Sequence, residues 1–271
     1  MCLLVLAWHA HPRYRLIVAA NRDEFHDRPA LPLGAWPEAD RLVGGRDLHA
    51  GGAWLAVDRG GRFGVVTNYR ETLRPRTSAP SRGRLIPTYL GGTDSAANYL
   101  DDLEIEAPGF AGFSLLLADG EALWYASNRA EPFTRRLEAG IYGLSNHALD
   151  TPWPKVERVR QRFTAQLAAT QPDVANLMSL LADREPAPAT TDRPSRGSPS
   201  DMGQPGLPAD WERALSAPFV RHGNYGTRCS TVVMVGHDGA IRIVERRFDA
   251  NGDQSGETEL ELNGPRHGPG A

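Results

Sequence analysis

The stretch CLLVLAWHAHPRYRLIVAANRDE, Cys2 to Glu24, opens with an apolar run from Cys2 to Trp8. A second follows from Tyr14 to Ala20, after a break at His11-Pro12-Arg13. Two short apolar runs joined by a tight turn predict a hairpin buried on both faces. The tetrad Asn21-Arg22-Asp23-Glu24 then ends the second run abruptly, so the strand is expected to stop there. Working outward, Ala53 to Asp58 and Phe63 to Asn68 flank Arg59-Gly60-Gly61-Arg62, and a Gly-Gly pair between β-prone runs signals a second hairpin. Further strands are expected from Gly112 to Ala118 and Ala122 to Ala126 around Asp119-Gly120, and from Gly140 to Leu144. The last pair runs from Ser230 to Val235 and from Ala240 to Val244 around Asp238-Gly239. Strands linked as hairpins make antiparallel sheets, and the class is therefore α+β.

Helices are fewer. Val156, Val159, Phe163 and Leu167 recur at helical spacing behind Pro152 and Pro154, predicting an amphipathic helix that ends near Thr170. Asp173 to Asp183 reads as a second helix and Asp94 to Leu103 as a third, capped by Asp94. Between Arg184 and Asp210 six prolines stand among Ser, Gly, Thr and Asp, too little apolar area to order itself. The segment 184–210 therefore reads as a mobile loop that interrupts one domain spanning 1–271, since β signals resume after it.

Of the 271 residues 41% are apolar and 23% charged, with a formal net charge of −3. A near-neutral balance argues against nucleic acid as the main partner. With only two cysteines, Cys2 and Cys229, neither a disulfide framework nor a cysteine-rich metal site is expected, and a reducing, cytoplasmic setting follows. Met1 to Trp8 lacks a basic leader and a small-residue cleavage site, so neither a signal peptide nor a membrane span is expected. The cations are 29 Arg and one Lys, Lys155. Arg70, Arg74, Arg76, Arg82 and Arg84 cluster within fifteen residues with Glu71 as their sole opposing charge. Such a cluster is either solvated surface or a rim for an anionic substrate, because guanidinium forks bind carboxylate and phosphate.

Cys2 is the first candidate for chemistry. A small second residue favours removal of the initiator methionine, which leaves Cys2 with both a thiol nucleophile and an α-amino base. Arg22 near a thiol would favour the thiolate, and Asp23 near an ammonium would orient it. Asn68 and Asn146 each close an apolar strand, and an asparagine amide suits a developing oxyanion.

Seven ordered motifs carry a family resemblance: Cys2 itself, Ala20-Asn21-Arg22-Asp23-Glu24, Thr67-Asn68-Tyr69-Arg70-Glu71, Ser81-Arg82-Gly83, Gly143-Leu144-Ser145-Asn146, Pro152-Trp153-Pro154-Lys155, and Tyr225-Gly226-Thr227-Arg228-Cys229-Ser230-Thr231-Val232. Together they resemble the NRDE-motif family, also called the transport and Golgi organisation protein 2 family. That family looks like N-terminal nucleophile hydrolases of the penicillin V acylase and bile-salt hydrolase kind. The resemblance implies a four-layer αββα sandwich and cleavage of linear, non-peptide amides; no cofactor or metal is expected. It makes Cys2 nucleophile and base, Arg22 and Asp23 the groups that hold its thiol and amine, and Asn68 and Asn146 the oxyanion site. Arg228 becomes a late-strand cation facing the pocket. Asn21, Glu24, Arg70, Arg82, Arg84 and His147 are the substrate-side candidates. In the hydrolases the arginine and aspartate stand three apart, whereas Arg22 and Asp23 are adjacent and would point to opposite faces of a regular strand. Either a bulge realigns them or only one serves Cys2. The family is also linked to haem and lipid handling, so a second reading is a non-catalytic haem or acyl carrier with Cys2, His9 and His11 lining the pocket.

Overall fold

The computed structural model describes residues 2–70, 79–168, 172–188 and 207–264. Strand β1 (Cys2–Trp8) pairs antiparallel with β2 (Tyr14–Phe25), and from Leu3 to Trp8 every residue of β1 is buried. The alternation explains why. Leu4, Leu6 and Trp8 point into one core with Leu16, Val18 and Ala20, while Leu3, Val5 and Ala7 point into another with Ile17 and Ala19. A strand covered on both faces reads as a continuous apolar run.

The remaining strands are β3 (Ala30–Trp36), β4 (Ala39–Asp47), β5 (Leu55–Asp58), β6 (Phe63–Asn68), β7 (Phe113–Ala118), β8 (Leu123–Ser127), β9 (Thr134–Leu137), β10 (Gly140–Leu144), β11 (Arg221–His222), β12 (Tyr225–Gly236), β13 (Ala240–Phe248) and β14 (Gln254–Asn263). They form two antiparallel sheets. One runs β10-β1-β2-β12-β13-β14 with β11 on β12; the other runs β3 to β9 in sequence order. Between them lies a core that joins Leu4, Leu6 and Val18 to Leu55, Val57, Phe63 and Val65. Helices α1 (Leu85–Gly91) and α2 (Ala96–Glu106) cover the outer face of the second sheet through Ile86, Tyr89 and Leu100. Helices α3 (Pro154–Leu167) and α4 (Val174–Leu181) cover the first through Val156, Val159, Phe163 and Leu177. A short α5 (Ala209–Leu215) packs near β11 and β12. The architecture is α+β, four layers in αββα order, as the resemblance implied.

Two glycines sit at close approaches between layers. Gly61 turns β5 into β6 at φ 80°, and a Cβ there would lie 2.3 Å from Arg15 Nη2. Arg15 is buried in the core because it bridges layers, donating to the carbonyls of Gly61 (2.9 Å) and Asp119 (3.0 Å). At Gly143 in β10 a Cβ would lie 2.5 Å from Val156 Cγ1, so α3 starts hard against that strand.

Several expectations are corrected. β2 does not stop at Ala20 but continues through the polar tetrad, because Asn21, Arg22 and Asp23 are 1%, 6% and 2% exposed and each finds a partner. The cap of α2 is Ser95, whose hydroxyl accepts from the Asn98 amide, and not Asp94. The hairpin β3–β4, β9, β11, the edge strand β14, α1 and α5 are further elements beyond those expected. The expected loop 184–210 overlaps the start of α5 at Ala209; its central part, 189–206, lies outside the described residues.

Candidate active site

Because β2 is regular, its side chains alternate. Ala20 packs in the core between the sheets and Ala19 in the core beneath the helices, so Arg22 and Glu24 turn to the inter-sheet side and Asn21 and Asp23 to the helix side. On β1, Cys2 lies directly across from Arg22. No bulge realigns Arg22 and Asp23, which keep opposite faces of β2; the irregularity lies on the neighbouring β12, between Thr227 and Cys229. It leaves Cys229 opposite Arg22 and Thr227 opposite Asp23, with Arg228 as the extra residue.

Beyond the ends of β1, β2, β4 and β6 opens a cleft of about 180 Å³. Cys2, Arg22, Asp23, Glu24, Asn68 and Arg82 of the expected residues line it, joined by Arg28, Asp47, Trp54 and Ser81. Arg22 is clamped there: Nη2 donates to Asp47 Oδ2 at 2.8 Å and its guanidinium lies 4.3 Å from the centre of the Trp54 ring. Arg28 donates to the same oxygen at 2.6 Å and lies 3.8 Å from Glu24. Asp47 Oδ1 accepts from the amides of His49 and Ala50. Burial works against its ionisation, but the Arg28 hydrogen bond, the Ala50 amide and the two guanidinium charges outweigh it and hold the carboxyl below the usual range.

Cys2 is fixed along its whole backbone. Its N–H donates to Asn146 Oδ1 at 3.0 Å and its carbonyl accepts from Ser145 Oγ at 2.7 Å. Its thiol accepts from the backbone N–H of Asp23. Burial pushes the thiol pKa up and the Asp23 charge adds to it, opposed by that amide and by Arg22. Asp23 meets Cys2 through its backbone while its carboxylate, facing the helices, accepts from Thr227 Oγ1 at 2.7 Å. Burial pushes this carboxyl up as well, against Lys155, the Thr227 bond and Arg22. Arg22 thus stands on the Cys2 side of β2, its charge favouring the thiolate, whereas Asp23 meets Cys2 through its backbone amide and turns its carboxylate to the helix side.

The other expected residues lie elsewhere. Asn146 uses Oδ1 on Cys2 and donates Nδ2 to the Asn68 carbonyl at 2.8 Å, so it holds the Cys2 nitrogen and lies outside the cleft lining. Asn21 is corrected to a buried tie, donating to the carbonyls of Leu181 and Pro218 and accepting from Ser230 Oγ. Arg70 is corrected too: it forks onto both carboxylate oxygens of Glu212 on α5, which neutralises it. Arg84 lies over the Phe110 ring and pairs with Glu106 on the outer helices. Arg228 does not line the cleft; the bulge aims its Nη1 at the carbonyls of Phe25 and Arg28. His147 bridges Tyr69 Oη (3.0 Å) and Thr151 Oγ1 (2.9 Å), with burial lowering its pKa. Arg74 and Arg76 lie outside the described residues. His9 and His11 stand past the opposite end of β1, about 20 Å from Cys2 at the rise of a strand. The expectation that they share its pocket is therefore corrected.

The sequence model of the family described as Transport and Golgi organisation 2 matches residues 1–250. The chain belongs to that family. Its relatives in this family include the Transport and Golgi organization 2 homolog of Mus musculus, 34% identical over 268 residues, covering 91% of this chain and 92% of the relative. The Homo sapiens homolog is 33% identical with the same coverage. The Drosophila melanogaster Transport and Golgi organization protein 2 is 27% identical over 270 residues, covering 90% and 91%. Among solved structures, the Caenorhabditis elegans N-acylethanolamine-hydrolyzing acid amidase ortholog aligns at TM-score 0.46 and 10% identity, over 85% of this chain and 92% of that one. Among the described residues of this family member, no helix is long and apolar enough to cross a membrane.

Proposed function

We propose that the protein is a cytoplasmic cysteine N-terminal nucleophile amidohydrolase that cleaves a small, linear, non-peptide amide bearing an anionic group. The observation that carries this is the seating of Cys2: its nitrogen on Asn146 Oδ1, its thiol under the Asp23 amide, and a polar cleft in front of it.

With Met1 removed, that nitrogen becomes a free amine, able to take the thiol proton. The thiolate attacks the amide carbon, and charge on the carbonyl oxygen is met by the Asn68 side chain in the same cleft. The ammonium returns its proton to the leaving amine, which departs as the C–N bond breaks and a thioester forms. Water then attacks the thioester, its proton passing to the α-amine, and the acid and free Cys2 are released. Arg22, Arg28 and Arg82 line the cleft with Asp23, Glu24 and Asp47, three guanidiniums and three acids; because the Asp23 carboxylate turns to the helix side and bonds Thr227, the arginines can still meet an anionic group on the substrate. The space behind Cys2 between the sheets is about 10 Å³, no more than one water fills, which supports a polar ligand over a long acyl chain.

The test is turnover across a panel of acyl amides. Cys2→Ala is expected to abolish hydrolysis and leave thermal stability within about 1 kcal/mol, because only one sulfur is lost from a half-buried site. No turnover by the parent, with equal haem or lipid binding by parent and variant, would instead identify a carrier.

A further inference from the structure

Lys155 is the single lysine beside 29 arginines, and it lies in the first turn of α3 at 3% exposure. Its Nζ has no hydrogen-bond partner among the described residues, and the Trp153 ring centre is 5.9 Å away. A buried ammonium without a partner is costly, and a cation in a first helical turn also meets the positive end of the helix dipole. Fold stability gives no reason for it. Its location does. Val156, the next residue, abuts Gly143, and Val156 and Val159 share a core with Leu3 and Val5. The first turn of α3 is thereby clamped over β10 and β1 on the helix side, the side to which Asp23 points.

The charges acting on Lys155 are those of Asp23 on β2, Cys2 on β1 and Arg70 in the segment after β6. Arg70 is itself paired with Glu212 of α5, and from β12 the Tyr225 hydroxyl bonds the Asp23 carbonyl. We propose that Lys155 is a positioning residue of the Cys2 site, its buried ammonium supplying from the helix side the counter-charge for the Asp23 carboxylate and the Cys2 thiolate. This rests on the nucleophile reading above. Burial lowers the Lys155 pKa while Asp23 and Cys2 pull it back up, and Lys155 in turn opposes the burial that raises Asp23. In the processed chain the same cation disfavours protonation of the α-amine, which keeps the base available.

The experiment measures the rate of Cys2 alkylation by iodoacetamide against pH, read by peptide mass spectrometry, in wild type and Lys155 variants. Lys155→Met is expected to move the midpoint up by about one pH unit, slowing alkylation at neutral pH about tenfold. Lys155→Arg, which keeps the charge, is expected to retain the wild-type profile. A folded Lys155→Met with an unmoved midpoint overturns the proposal while the nucleophile reading stands. If Lys155→Met fails to fold, Lys155→Gln is held to the same criterion. A wild-type Cys2 inert at every pH overturns the nucleophile reading, and Lys155's role with it.

Discussion

The two faces of one short segment, residues 21–24 of β2, treat polar groups in opposite ways. On the inter-sheet side Arg22 and Glu24 border a cleft, and their charges are matched by other charges, Asp47 and Arg28, within reach of water. On the helix side the polar groups are buried: Asn21 is matched by neutral partners, Ser230 and the carbonyls of Leu181 and Pro218, and Asp23 by the Lys155 ammonium and the Thr227 hydroxyl. The difference teaches a division of labour. A solvated, charged face can exchange a partner for a ligand, whereas a buried, hydrogen-bonded face cannot do so without unfolding and can only set the geometry and field around Cys2.

Substitutions on the two sides should therefore fail differently. The largest effect is expected from the buried face. Asn21→Ala removes three buried hydrogen bonds and strands two carbonyls, so denaturant unfolding should show a loss of about 2–4 kcal/mol. Its remaining folded fraction should keep wild-type kinetics; a loss below about 1 kcal/mol would break the comparison.

Next come the two aspartates. Asp47 has a lowered folded pKa, so its contribution is present above the ordinary carboxylate value and is lost as pH falls through the folded one. Asp47→Asn should cost about 1–3 kcal/mol at neutral pH, a cost that vanishes in acid, because Arg22 and Arg28 both lose their charged partner at a largely buried site. Asp23 has the opposite sign. Its raised pKa means that its contribution is present below the ordinary value and is lost as pH rises through the folded one. Asp23→Asn should thus raise the neutral-pH Tm while slowing turnover, and Tm shifts of the same sign for both variants would contradict the assignment of the faces.

The smallest effect is expected at the rim. Arg82, anchored on the Gly112 carbonyl and lining the cleft, should on truncation raise KM severalfold at low salt and less at high salt. Arg84→Ala should be silent in the same assay, since its partners are Glu106 and Phe110.

How much of this was legible in the sequence depended on range. The β1–β2 hairpin could be read because burial on both faces writes itself as an uninterrupted apolar run. β14 could not: its Glu, Thr and Leu residues alternate at the sheet edge with little burial, and β3 is broken by Pro32. At the site, the family motifs pointed to Cys2, Arg22, Asp23 and Asn68. Asp47 and Arg28 escaped because nothing local in Gly44-Gly45-Arg46-Asp47 says that two guanidiniums converge there. Arg70 and Arg84 were misread for the converse reason. A run of arginines looks unpaired until folding brings Glu212 and Glu106 alongside. Lys155 did leave a signal, as the one lysine in a chain that otherwise uses arginine.

Cys2 with a free α-amine is the centre of the mechanism, and one measurement reaches it directly: peptide mass spectrometry of the purified protein after brief iodoacetamide treatment at neutral pH. The N-terminal peptide should begin at Cys2 and carry a single alkyl group, with Cys229, 4% exposed, unmodified. Met1 retained on essentially all molecules, or alkylation confined to Cys229, would contradict it.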